Sequence, residues 1–300
     1  MMKRRWQQAF PLLWLSASLT GAGCGSEAYQ LVGPPCGQVD QSGRIELPSW
    51  GPDGRIAFYH PDLGARRSGV WIRDRTGRAT FLDSGDMPAW SPSGDRLAYV
   101  RGEELVVWSE REDTTRTIVR SRLFFPAWSP DGTRIAFDRT TPSDSAGIWM
   151  VDLENPEPVI WVSKLRAREP TWSPDGAYIA FSCYDGSEQS PELYRLRISD
   201  REVERIGGLD GQDVHPRWSP SGDRIAYTRV DGVHILDLRT GSDRRLKATG
   251  SKCEPGWQDC SWSADGTELV YPKQGLWAIR ADGTFDRELS IDWQDDLGSP

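Results

Sequence analysis

Cysteine is scarce in this 300-residue chain, with five residues, and histidine is scarcer, with three. So few soft ligands leave little material for a zinc site, which needs clustered His, Cys or carboxylate groups at suitable spacing. No Gly-x-Ser-x-Gly element occurs, so the nucleophile elbow of an α/β-hydrolase is missing. Positive charge is also short: 36 Lys and Arg face 44 Asp and Glu, a formal net charge of −8. That balance argues against nucleic acid, which demands a basic footprint. Apolar runs are rare as well, and the one near the N-terminus, Phe10 to Leu19, is too short to span a bilayer. What is abundant is turn and aromatic chemistry: 30 glycines, 21 prolines and 15 tryptophans. This mixture suits many short strands better than helices.

The N-terminus reads as a targeting segment. Lys3, Arg4 and Arg5 form a basic region ahead of the apolar run, and the small residues Gly21, Ala22 and Gly23 precede Cys24. The run Leu19-Thr-Gly-Ala-Gly-Cys24 resembles a bacterial lipobox, with Gly21 where leucine is usual. The resemblance implies that residues 1–23 are removed and that Cys24 is lipidated, anchoring a secreted domain without spanning the membrane. Gly25 after the cysteine implies the outer membrane, facing the periplasm or the cell surface. Four cysteines then remain in an oxidising compartment. Cys253 and Cys260 enclose six residues and are expected to form a disulfide, while the pairing of Cys36 and Cys183 stays open.

A repeat dominates the rest. Trp50-Gly-Pro-Asp-Gly, Trp90-Ser-Pro-Ser-Gly, Trp128-Ser-Pro-Asp-Gly, Trp172-Ser-Pro-Asp-Gly, Trp218-Ser-Pro-Ser-Gly and Trp262-Ser-Ala-Asp-Gly recur about every 40 residues. Each is followed by an aliphatic–small–aromatic strand, such as Ile135-Ala-Phe137. Proline, aspartate and glycine in this order make a tight turn. The motif therefore joins the first two strands, a and b, of a four-stranded blade, and weaker strands c and d follow each time. Alternation puts the tryptophan, the aliphatic and the aromatic on one face and the alanines on the other. An unbroken ladder from Trp90–Leu97 would set Pro88 opposite Tyr99 and Asp86 opposite Arg101. The expected architecture is all-β: a six-bladed β-propeller of four-stranded antiparallel blades over 44–291, with a linker at 24–43 and a tail at 292–300. Six complete blades leave the ring closure unexplained, and either 25–43 or 292–300 is available to latch it.

The Trp-Ser-Pro-Asp-Gly-x-x-Ile-Ala-Phe repeat resembles the WD40-like (PD40) repeat of the TolB family of propellers. The chain has no Trp-Asp dipeptide, so it is unlike the eukaryotic WD40 type. The resemblance implies an envelope propeller that binds a protein or lipoprotein, as a monomer and without a cofactor. Only about twenty residues separate Cys24 from the first blade. The additional N-terminal α/β domain of TolB is therefore not expected here.

Two positional series map to the channel mouth formed by the d–a and b–c loops. Three residues before each motif tryptophan stand Leu47, Met87, Phe125, Glu169, His215 and Asp259. Two after each strand-b aromatic stand His60, Arg101, Arg139, Cys183, Arg229 and Lys273. A half-apolar, half-charged rim suits protein binding, and Met87, Phe125, Arg139, Glu169 and His215 are its candidates. Their bland reading is packing under loops and a cross-strand Asp86–Arg101 ion pair. Proline stands two before the tryptophan in five blades, and Cys260 replaces it in the sixth. A bridge there would stiffen the loop carrying Trp257, a secondary contact candidate. His234 occupies a core aromatic position. A metal at His215 with Asp213 or Asp259 is disfavoured. The alternative to a binding propeller is an enzyme or carbohydrate-binding module using carboxylates or a metal in the channel.

Overall fold

The computed structural model describes residues 45–61, 67–139, 146–162, 166–184, 191–207, 213–229, 231–248, 259–273 and 275–294. Met1–Pro35 and Cys36–Pro300 form separate units, and every described residue lies in the second. Cys24, Cys36, Cys253 and Trp257 lie outside the described residues.

Six antiparallel sheets follow one another in strand order a–b–c–d. Blade 1 comprises Glu46–Trp50, Ile56–His60, Gly69–Arg73 and Arg78–Asp83, and blade 3 comprises Phe124–Trp128, Arg134–Arg139, Gly147–Asp152 and Val159–Val162. The six-bladed propeller expected from the repeat is the observed fold.

The motif builds its own turn. In blade 3 the Ser129 hydroxyl donates to Asp131 Oδ1 (2.5 Å) and accepts from the Arg134 N–H (2.9 Å). Asp131 also accepts from Thr133 N–H at 3.0 Å. These donors, led by Ser129, hold its carboxyl down at about 2. Gly132 takes φ 69°, the left-handed region a side chain resists. The faces interlock as the alternation requires: Ala136 of blade 3 packs on Trp172, Ile179 and Phe181 of blade 4. Trp172 keeps 6% of its surface exposed, so it removes about 200 Å² from water, about 5 kcal/mol before entropy.

Strand a departs from the unbroken ladder. Asp86 pairs with Val100, not Arg101, and Ala89 pairs with Ala98, so strand a carries one extra residue. The same step separates Glu46 from Ser49, Phe124 from Ala127, Arg168 from Thr171 and Val214 from Arg217. Proline explains it: without an N–H it cannot join the ladder and is confined to edges and bulges.

The C-terminal segment closes the ring. Asp292–Gln294 adds a fifth strand, parallel to Arg78–Asp83 at the outer edge of blade 1. Trp293 meets Trp71 edge-on at 5.0 Å and Phe58 at 5.8 Å between centroids. Arg73 Nε donates to the Ser290 carbonyl at 2.7 Å. Of the two segments available as a latch, the tail is the one seen to act.

Candidate site at the channel

The bulge has a consequence for the first positional series. Leu47, Met87, Phe125, Glu169 and His215 all adopt left-handed backbone, with φ between 50° and 57°. For side-chain-bearing residues this conformation costs about 1–2 kcal/mol each. Five such residues at equivalent positions form a strained ring around the channel axis, and strain of this kind gathers at functional sites. Blade 6 has no member of this kind: Asp259 is not left-handed, and strand a shrinks to Ser261–Trp262.

Four predicted residues come together in this ring. The Phe125 N–H points at Met87 Sδ, 3.3 Å away. The Phe125 and His215 rings meet at 5.2 Å, a contact between blades 3 and 5 that narrows the channel. Glu169 Oε2 accepts from the His215 N–H at 2.7 Å and from the Ser182 hydroxyl at 2.8 Å, and His215 Nδ1 lies 3.6 Å from Glu169 Oε1. The side chain of one blade thus serves the main chain of the next. Met87 and Phe125 are half-buried, whereas Glu169, His215 and Asp259 are buried. The apolar half of the ring is therefore the half left accessible.

Arg139 does not join this group: it stacks on Trp149 of its own blade, 4.4 Å from the ring centroid. The rest of the second series is not a free basic rim. Arg101 pairs with Asp83 (3.0 Å) and Glu104 (3.3 Å), not with Asp86. Arg229 grips Asp213 through two nitrogens at 2.7 and 3.1 Å. Lys273 rests on Trp277 and His60 packs against Trp293. Cys260 is a buried free thiol, pushed up to about 12 by burial. His234 is buried as expected, with its ring nitrogens 2.8 Å from Asp231 and 3.2 Å from Asp243.

The sequence did not single out Asp138. It follows Phe137 on strand b, is 1% exposed, and among the described residues neither carboxylate oxygen has a well-formed hydrogen bond, with only the Glu169 main chain close by. Burial, then the nearby Glu169 charge, raises it well above the usual carboxylate range. At the mouth, Asp86 is raised to about 6 by burial and by Glu46 in the neighbouring blade. The pattern that would have exposed Asp138 is its break in an otherwise uncharged series, Tyr59, Val100, Ser182, Thr228 and Pro272, on that face. The a–b side of the channel holds a cavity of about 400 Å³, lined by Pro88, Trp90, Pro126 and Trp128, with Phe125 and Asp259 also bordering it. Among the described residues, no group of three His, Cys, Asp or Glu could hold a metal ion, and Asp259 is bound by Arg217.

Comparison with known proteins agrees with this architecture. The crystal structure of TolB from Acinetobacter baumannii superposes with a TM-score of 0.67 at 24% identity, covering 80% of this chain and 66% of that one. This chain therefore spans just under two thirds of that relative. A putative TolB from Agrobacterium tumefaciens gives 0.53 at 18% identity, covering 83% and 85%. An oligogalacturonate lyase in complex with manganese gives 0.54 at 15% identity, covering 79% and 74%. At these identities the likenesses concern the fold alone. No curated protein sequence matches the chain. Residues 86–295, blades 2 to 6 with the latch, match the PD40 family, and the chain accordingly belongs to the TolB beta propeller domain family.

Proposed function

We propose that this protein is a non-enzymatic propeller of the bacterial envelope that engages a protein partner through the channel mouth ringed by Met87, Phe125, Glu169 and His215. The observation that carries the reading is the ring of left-handed, side-chain-bearing residues whose apolar members stay half-exposed. Such residues cost stability in their backbone while Met87 and Phe125 keep part of their apolar surface in solvent, which fits an anchor kept ready for a partner. Membership of the TolB beta propeller domain family, whose resemblance implies protein binding, supports a binding role. The signal-like N-terminus with Cys24 supports export and lipid anchoring.

The test is capture from envelope extract on the immobilised mature chain, with a Met87→Ala/Phe125→Ala variant as control. A protein retained by the wild type and reduced about tenfold or more by the variant, some 1.4 kcal/mol or above, supports the reading. Equal retention by both refutes it. The lyase among the similar folds motivates a second reading as a channel enzyme. Turnover of oligogalacturonate with manganese, lost in Glu169→Gln, would favour that one.

A further inference from the structure

The face carrying the a–b and c–d turns bears a second feature, remote from the strained ring. A groove of about 650 Å³ runs between blades 5 and 6, lined by Arg224, Arg244, Glu268, Arg280 and Asp282. At its edge stands Phe285, 68% exposed, the one large apolar side chain so exposed among the described residues. Its backbone is left-handed at φ 52°, although Gly283, two residues earlier at 89°, already supplies the turn's positive φ. Phe285 thus carries two costs at once, strain and a wetted ring, set against a single cation–π contact. The Arg280 guanidinium lies 4.2 Å from the ring centroid and supports it from beneath.

The charges around it are unevenly satisfied. Arg287 takes both oxygens of Glu268, and Arg224 leans on Asp223 at 3.4 Å. Arg244 donates only to main-chain carbonyls, to Asp282 at 2.9 Å and to Ala281. Arg280 only stacks. Among the described residues neither guanidinium has a carboxylate within ion-pair distance; both lie near enough to Asp282, and Arg280 to Glu268, to help hold those carboxyls down, yet both stay exposed beside the aromatic.

We infer that this groove is a docking site for a short acidic segment of a protein partner, with carboxylates on Arg244 and Arg280 and an aliphatic side chain against Phe285. An extended strand with alternating side chains supplies both chemistries at once. A polypeptide fits better than an anionic bilayer. The same face carries an aspartate on neighbouring a–b turns, Asp223 and Asp265, and on others at Asp131 and Asp175. A flat anionic surface meets that acidic circle, while a narrow segment lies within the groove.

The probe is a fluorescein-labelled octapeptide of alternating glutamate and leucine, titrated into the full mature chain and followed by anisotropy. Binding should weaken about tenfold or more in Arg244→Ala/Arg280→Ala and about fivefold in Phe285→Ser. Arg280→Lys, which keeps the charge but not the planar stack, should fall between. Raising salt from about 50 to about 300 mM should weaken it further. Met87→Ala/Phe125→Ala should bind as the wild type does, which separates this site from the channel mouth. Near-ultraviolet circular dichroism checks that each variant keeps its packing. Absence of peptide binding, equal binding by the arginine variant, or binding of phosphatidylglycerol vesicles in place of the peptide would each overturn the inference.

Discussion

Blades 3 and 6 share one motif and differ in what precedes it. Blade 3 has Phe125-Pro126, a bulge, and a left-handed residue aimed at the channel; blade 6 has Asp259-Cys260, a two-residue strand a, and no left-handed residue there. Blade 3 meets its neighbours through the same Trp–aliphatic–aromatic face as blade 6 does. The comparison separates two jobs. The Trp motif makes blades and packs them. The proline before it makes the bulge, and the bulge sets the residue that faces the channel.

Packing should therefore respond alike in both blades, and this is the largest effect. Trp128→Ala and Trp262→Ala are each expected to cost about 3–5 kcal/mol in denaturant titration, because each indole leaves a comparable void. A blade 6 variant near wild-type stability would show that this blade is not held by its tryptophan. Blade 6 also depends on the latch across the ring. Trp293→Ala, which removes ring contacts to Trp71 and Phe58, should cost about 3 kcal/mol by the same measurement. A negligible loss would mean that the fifth strand is dispensable for closure.

A smaller effect, dependent on pH, distinguishes the blades further. Asp138 in blade 3 is buried and its acid form is favoured by the fold, whereas blade 6 has Pro272 at the equivalent position. A carboxyl raised in the folded state leaves stability intact below its unfolded value near 4. It withdraws stability as pH rises from there toward the folded value. Asp138→Asn should therefore raise the melting temperature at neutral pH and leave it nearly unchanged at about pH 4. Asp86 acts in the same direction between its ordinary range and about 6. An equal shift at both pH values would mean that Asp138 is ionised without penalty. The smallest effect is chemical. Cys260, where other blades have proline, should resist alkylation in the native chain and react on unfolding, since burial suppresses its thiolate. Rapid native labelling would contradict its burial.

Most of the fold was legible because the repeat is local chemistry: a turn, then alternation, in about forty residues. The bulge was legible too, since five prolines stand where a ladder needs N–H groups, but an unbroken register was assumed instead. That one-residue error placed Asp86 opposite Arg101, where the structure gives Arg101 to Asp83 of the preceding blade. A fixed offset from a repeated residue brought Met87, Phe125, Glu169 and His215 to equivalent, touching places on the ring. For Arg139 the offset did not show the Trp149 ring on which it stacks. The choice between the two possible latches was not legible, because it depends on contact with blade 1 rather than on a motif, and the burial of Asp138 likewise depends on the neighbouring blade.

The most direct test of the account is site-specific photo-crosslinking in cells, with a photoreactive amino acid at Met87 in the ring and, separately, at the exposed Arg116 on the outer strand of blade 2. With a partner at the channel mouth, a discrete crosslinked protein species forms from position 87 and is absent from position 116. No crosslink at 87, or the same products from both positions, would contradict a partner at the channel mouth.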